Sequence, residues 1–265
     1  GKANGTLGFN TGVTGGQLTL QGTNGMRANV YLGEFTQTGS NTKPTGNLAA
    51  TNAGCSITAL LDQLALGSLY TNAGSTPVGG FGNFAFNGGT VDVNTVILGR
   101  SLPGGSVGIG SGTLTMNGGI LNINSNLTLA QRIGSGTVSG LVSIAGGTAN
   151  IYTNIEDGGG VSILTLNGGV LDMRGYSIGN AATNIDNLNF QSGTLMNVAE
   201  INGGSNLVKT GSGTLVLAGS NTFSGDVWVN GGVLNISATN TINDAASLRL
   251  NTGGTLYLEN GINET

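Results

Sequence analysis

Chemistry in this chain would fall to carboxylates, because it has no histidine and one cysteine. Without histidine there is no Ser-His-Asp or Cys-His arrangement and no imidazole metal ligand. Cys55 has no second cysteine to pair with and no base to activate it, so it reads as a small buried hydrophobe. The only adjacent carboxylates are Glu156-Asp157, and they precede Gly158-Gly159-Gly160. Glycoside hydrolysis needs two carboxyls facing a cleft, about 5–9 Å apart. The glycines instead predict a solvated loop for this pair. Gly108-Ile109-Gly110-Ser111-Gly112 resembles a fragment of a phosphate loop, but no helix N-terminus follows to hold an anion. The glycine-rich nonapeptide that binds Ca²⁺ is absent. No catalytic, cofactor-binding or metal-binding residue is therefore assigned, and no cofactor is expected. The enzyme alternative, a carbohydrate-active β-helix, would rest on Glu156 and Asp157.

The elements that would position any site are written in a repeat. Leu164-Thr165-Leu166-Asn167-Gly168-Gly169-Val170-Leu171-Asp172-Met173 reads as strand, corner, strand. Apolar residues alternate with polar ones on both sides of a corner whose residues tolerate positive φ. The phrase recurs at 84–93, 114–123, 142–151 and 227–236, and with a longer corner at 248–258. Two copies are degenerate. One, at Leu188-Asn189-Phe190, is followed by a second strand whose Leu195 and Val198 read as out of phase. The other runs from Leu207 to Leu217. A third short strand follows in Val30-Tyr31-Leu32-Gly33, Leu64-Ala65-Leu66-Gly67, Val96-Ile97-Leu98-Gly99, Leu127-Thr128-Leu129-Ala130 and Tyr176-Ser177-Ile178-Gly179. Three strands per unit, repeating roughly every 30 residues early and roughly every 20 late, predict a solenoid. Stacked units bury the face that each alone leaves open.

The expected fold is thus all-β, a right-handed parallel β-helix with three sides, since parallel crossovers wind right-handed. It forms one solenoid over 1–265, with long coils and protruding loops in 1–135 and shorter, more regular coils in 136–265. The helix-like run Ile57 to Leu66 is read as coil strand, because its ending Leu66-Gly67 echoes Leu98-Gly99. On this alignment Phe86, Met116, Ile144 and Leu166 form one interior file. Asp92, Asn122, Asn150, Asp172, Asn235 and Tyr257 share an outward column, read as a ladder of paired amides and not a ligand or Ca²⁺ face. Trp228 and Arg249 occupy one outward slot on successive coils, which predicts a guanidinium over the indole. A sugar platform on Trp228 is the alternative.

Composition narrows the class. Glycine numbers 51 and proline 3, with no Gly-X-Y period, which excludes collagen. Charged residues are only 8% against 38% hydrophobic, so disorder is not expected. The net charge of -4 and scattered basic residues argue against nucleic acid and an anionic membrane surface. No apolar run is long enough to cross a bilayer. Because Gly1 is not an initiator and no signal-like segment precedes the repeat, the chain reads as a processed or excised piece.

The stretch Leu207-Val208-Lys209-Thr210-Gly211-Ser212-Gly213-Thr214-Leu215-Val216-Leu217-Ala218-Gly219-Ser220-Asn221-Thr222-Phe223-Ser224-Gly225, continuing through Val229-Asn230-Gly231-Gly232-Val233-Leu234-Asn235-Ile236, resembles an autotransporter-associated β-strand repeat. The resemblance implies a secreted or surface β-helix of Gram-negative bacteria, adhesive or scaffolding more often than catalytic. It carries no functional residues, because the motif is architectural. The functional expectation is an extracellular, non-enzymatic rod that self-associates, end to end or laterally, into a fibre or surface layer. The alternative is an adhesin for glycans or other surfaces, acting through early loops such as 68–80.

Overall fold

A computed structural model describes residues 4–35, 43–69, 78–103, 108–239, 242 and 246–262. Among them, eighteen strands form one continuous sheet, and a single 3-10 turn lies at Thr23–Gly25. Every strand-to-strand pairing is parallel; Gln131–Gly159 is an isolated antiparallel bridge. The chain is a three-sided parallel β-helix. Each coil has a first leg, a second leg and a short third leg, all illustrated by the unbroken strand Gly108–Arg132. Ten first legs stack, from Gly5–Gly8 to Leu248–Leu250. At the parallel spacing of about 4.8 Å this makes a rod about 43 Å long.

Alternation in the legs sends every second side chain inward, and register piles these into files. One file on the first leg runs Ala50, Phe86, Met116, Ile144, Leu166, Phe190, Lys209, Val229, Leu250. The four residues predicted to share it do so. On the second leg Val91, Leu121, Ala149, Leu171, Leu195 and Leu217 stack. Leu195 is therefore in phase, contrary to its reading from sequence. Val198 is also buried, reached through Asn197 in the left-handed region at φ 55. The third leg stacks Val30, Leu64, Val96, Leu127, Ile155, Ile178 and Ile201; the first four share the slot expected from sequence, whereas Ile178 takes the Val30 place and not the Leu32 place that its phrase predicts. Burying each such side chain is worth about 1.5–3 kcal/mol. Ile57–Leu66 lies inside the strand Ser56–Leu69, as expected, and Cys55 is 2% exposed.

The corner after the third leg shows why the sequence reads Leu-Gly there. Gly33, Gly67 and Gly99 have φ of +65°, +70° and +65°. A Cβ on any of them would lie 1.9–2.0 Å from the carbonyl oxygen of Phe81, Ser111 or Ser139 on a neighbouring first leg. The next member of the column is Ala130, at φ +56°. Space for its methyl comes from Gly160, whose own Cβ would stand 2.9 Å from that of Ala130. Gly158 and Gly160 donate their N–H groups to Leu129 and Ala130 carbonyls. Gly158 and Gly160 are thus closely packed on the preceding coil, and only Gly159 between them keeps the solvated setting expected of the whole run.

Coils shorten along the rod. Stacked side chains one rung apart are separated by 36 residues at Asn47–Asn83, 30 at Asn87–Asn117, 28 at Asn122–Asn150 and 21 at Asn230–Asn251. Most of the loop 68–80 singled out from sequence, residues 70–77, lies outside the described residues. Its flanks, Ser68-Leu69 and Gly79-Gly80, are strand.

Candidate functional site

The strongest polar feature is a ribbon on the outer face of the second leg and the corner beyond it. Asn94 Nδ2 donates to Asp62 Oδ1 at 2.9 Å, and Asn124 Nδ2 donates to Asp92 Oδ1 at 2.9 Å and to Asn94 Oδ1 at 3.4 Å. Arg27, on the first coil, reaches two rungs along to Asp92 Oδ1 at 2.6 Å and also donates to the Leu61 carbonyl at 2.8 Å. Burial pushes the Asp92 carboxyl up, but bonds from Arg27, Asn124 and Asn122 and the guanidinium charge outweigh it. The group is held below the usual carboxylate range. From Asn122 the ribbon continues: Asn150 Nδ2 donates to Asn122 Oδ1 at 2.9 Å, and Arg174 donates to Asn150 Oδ1 at 2.7 Å. Arg174 Nε pairs with Asp172 Oδ2 at 3.1 Å. Asn197 Nδ2 donates to Asp172 Oδ1 at 2.8 Å, and Asn197 Oδ1 accepts from the Ser220 N–H at 3.1 Å.

The predicted column is therefore real for Asp92, Asn122, Asn150 and Asp172, which are successive rungs. It does not include Asn235 or Tyr257. Its next members are Met196 and Ala218. Asn235 and Tyr257 stack instead with Val216, Thr194 and Val170, two positions nearer the corner. The cause is the corner Thr210–Thr214, which is longer than its counterpart Gln191–Ser192 and resets the second leg against the first. Reading by the Asn-Gly-Gly phrase alone hides that reset. Among the described residues no three His, Cys, Asp or Glu gather as metal ligands.

The predicted pair Glu156-Asp157 lies in the strand Ile155–Asp157, in register with Thr128 and Leu129. Strand alternation sends the two carboxyls to opposite faces, so they do not converge on one cleft. Glu156 is exposed, whereas Asp157 occupies the Leu129 slot and accepts from the Gly159 N–H at 3.0 Å. Trp228 and Arg249 are in register, with the guanidinium 5.0 Å from the indole centroid, as expected.

Where the ribbon ends the surface is hollowed. Arg174, Asn197, Ala199, Ser220 and Thr222 line a groove of about 410 Å³ at the corner between second and third legs. Arg174 and Asn197 sit at φ 53 and 55, and Gly219 on the following coil at φ 65. Tyr152 lies with its ring centroid 5.4 Å from the Arg174 guanidinium carbon. Tyr176 meets the groove wall through its backbone, its carbonyl accepting from the N–H of Ala199. Sequence reasoning passed over Arg174, Asn197 and both tyrosines. Sequence offered little signal for Arg174, because other coils also carry a polar or aromatic residue directly after the second leg, namely Asp62, Asn94, Asn124 and Tyr152.

Residues 207–236 match the family model described as Passenger-associated-transport-repeat. No curated protein and no solved structure matches the chain. The matched segment spans first and second legs of two consecutive coils, Leu207–Lys209 with Thr214–Ala218 and Val227–Val229 with Gly232–Ile236. Over these residues the rod is similar to a passenger-associated transport repeat.

Proposed function

We propose that the protein is a non-enzymatic extracellular structural rod that associates with copies of itself. The observation behind this is the state of the outermost coils. Leu250 and Leu258 continue interior files that are fully buried one rung earlier at Val229 and Ile236, yet they are 48% and 45% exposed. Leu7, in register with buried Leu48 at the other end, is 49% exposed. A further coil laid on either edge, from more of the same chain or from a second copy, would cover these residues and pair the open backbone. A second copy brings rungs of the same spacing, and head-to-tail contacts of this kind extend into filaments. The passenger-type repeat supports an extracellular setting. Sedimentation and negative-stain electron microscopy of the 265-residue chain test the reading. Rods that lengthen with concentration are expected, and single rods at every concentration overturn it.

A further inference from the structure

We propose that the groove beside Arg174 binds an uncharged oligosaccharide. The inference stands apart from self-association, since a rod that remains single carries the same groove. Its volume falls within the roughly 300–1,000 Å³ of small-ligand sites. Two exposed tyrosines adjoin residues of its wall: the Tyr152 ring meets the Arg174 guanidinium and the Tyr176 carbonyl accepts from the Ala199 N–H, and the two residues are 40% and 41% exposed. Sugar rings present flat C–H faces to such phenol rings and a rim of hydroxyls to planar amides and guanidinium groups.

Arg174 is held as a binding group would be. Asp172, Asn150 and the Tyr152 ring each engage it, while its side chain stays 42% exposed. Its backbone is left-handed, a conformation that carries a steric cost for a residue with a Cβ. Glycine holds the equivalent corner two coils on, at Gly219, and would relieve that cost. Strain retained where glycine fits is a mark of ligand sites. A side chain already fixed loses little freedom on binding. The Asp172 carboxylate neutralises the guanidinium and is itself 5% exposed, so the groove offers no net charge. The hydroxyl-bearing Ser220 and Thr222 and the amide Asn197 complete a wall suited to hydroxyl groups. An uncharged sugar chain fits this chemistry better than an acidic one.

The test uses the whole 265-residue chain and four probes: cellohexaose, maltohexaose, mannohexaose and chitohexaose, by titration calorimetry and saturation-transfer NMR. At least one probe is expected to bind. Arg174→Gly suits the left-handed backbone but takes the guanidinium from the buried Asp172 carboxylate, so the rod should melt somewhat lower while affinity falls at least tenfold. A purely structural arginine would lower stability and leave binding alone. Ser220→Trp, at an exposed corner, should block the groove without touching the core, which keeps the test decisive if Arg174→Gly misfolds. Silence from all four probes overturns the proposal. So does binding that survives both Ser220→Trp and Tyr176→Ala.

Discussion

Lys209 gives the sharpest test of the interior-file description. It occupies the slot between Phe190 and Val229, with 0% of its surface exposed. Its Nζ donates to the carbonyls of Thr210 at 2.5 Å, Gly211 at 2.9 Å and Gly231 at 3.0 Å, tying its own corner to that of the next coil. Burial lowers its pKa from the ordinary lysine value. Two large terms oppose each other. Three bonds to a charged donor are worth about 1.5–3 kcal/mol each. Taking an ammonium out of water costs several kcal/mol, and apolar replacement of buried charge is often neutral to stabilising by 1–4 kcal/mol. The three carbonyls lie at corners that are exposed or half-buried, so water can take over from the amine. Lys209→Met should therefore stabilise the rod by about 1 kcal/mol, its thioether stem filling the file. Lys209→Ala, which leaves a void, should cost about 2–4 kcal/mol.

Titration supplies the second arm. Between the lowered folded pKa and about 10.4, the unfolded chain holds a proton that the folded chain has lost, so stability rises with pH across that window. Below it Lys209 is charged in both states and contributes no slope. Tyrosines also titrate in this range, but they cancel in the difference between wild type and Lys209→Met. Urea unfolding at pH 8 and pH 11 should show the wild type gaining on the variant. A pH-independent difference, or a loss above about 3 kcal/mol in Lys209→Met, would refute the balance drawn here.

Three further outcomes follow from the geometry. Gly99→Ala should destabilise by about 3 kcal/mol or more in thermal unfolding, because its Cβ meets the Ser139 carbonyl, whereas Ala130→Gly should change stability by less than about 1 kcal/mol, relief of left-handed strain offsetting one lost methyl. The Arg27–Asp92 pair, with side chains 30% and 31% exposed, should contribute up to about 1 kcal/mol above pH 3.9 and lose it as pH falls through the depressed Asp92 value; Asp92→Asn should flatten that acid limb in pH-dependent unfolding. Arg249→Ala should cost about 0.5–1 kcal/mol and alter Trp228 fluorescence, and an unchanged spectrum would deny the stacking seen between them.

Much of this molecule is written locally. Alternation of apolar side chains, glycine at corners and a recurring phrase determine a wound ribbon, because a strand's period and a corner's φ are properties of a few adjacent residues. Hence Phe86, Met116, Ile144 and Leu166 could be stacked from sequence, and Trp228 placed against Arg249. Tertiary structure alone decided what depends on how long each corner is. Corners longer by three residues after Lys209 and by two after Val229 than Gln191–Ser192 leave Asn235 and Tyr257 out of the polar column, and no single coil records that. The Gly158–Gly160 run looked like a free loop because its neighbour Ala130 lies on the preceding coil. Arg174, Asn197 and Thr222 become one groove only when successive coils lie against each other, since residues more than 20 positions apart share a wall through stacking, not through the chain.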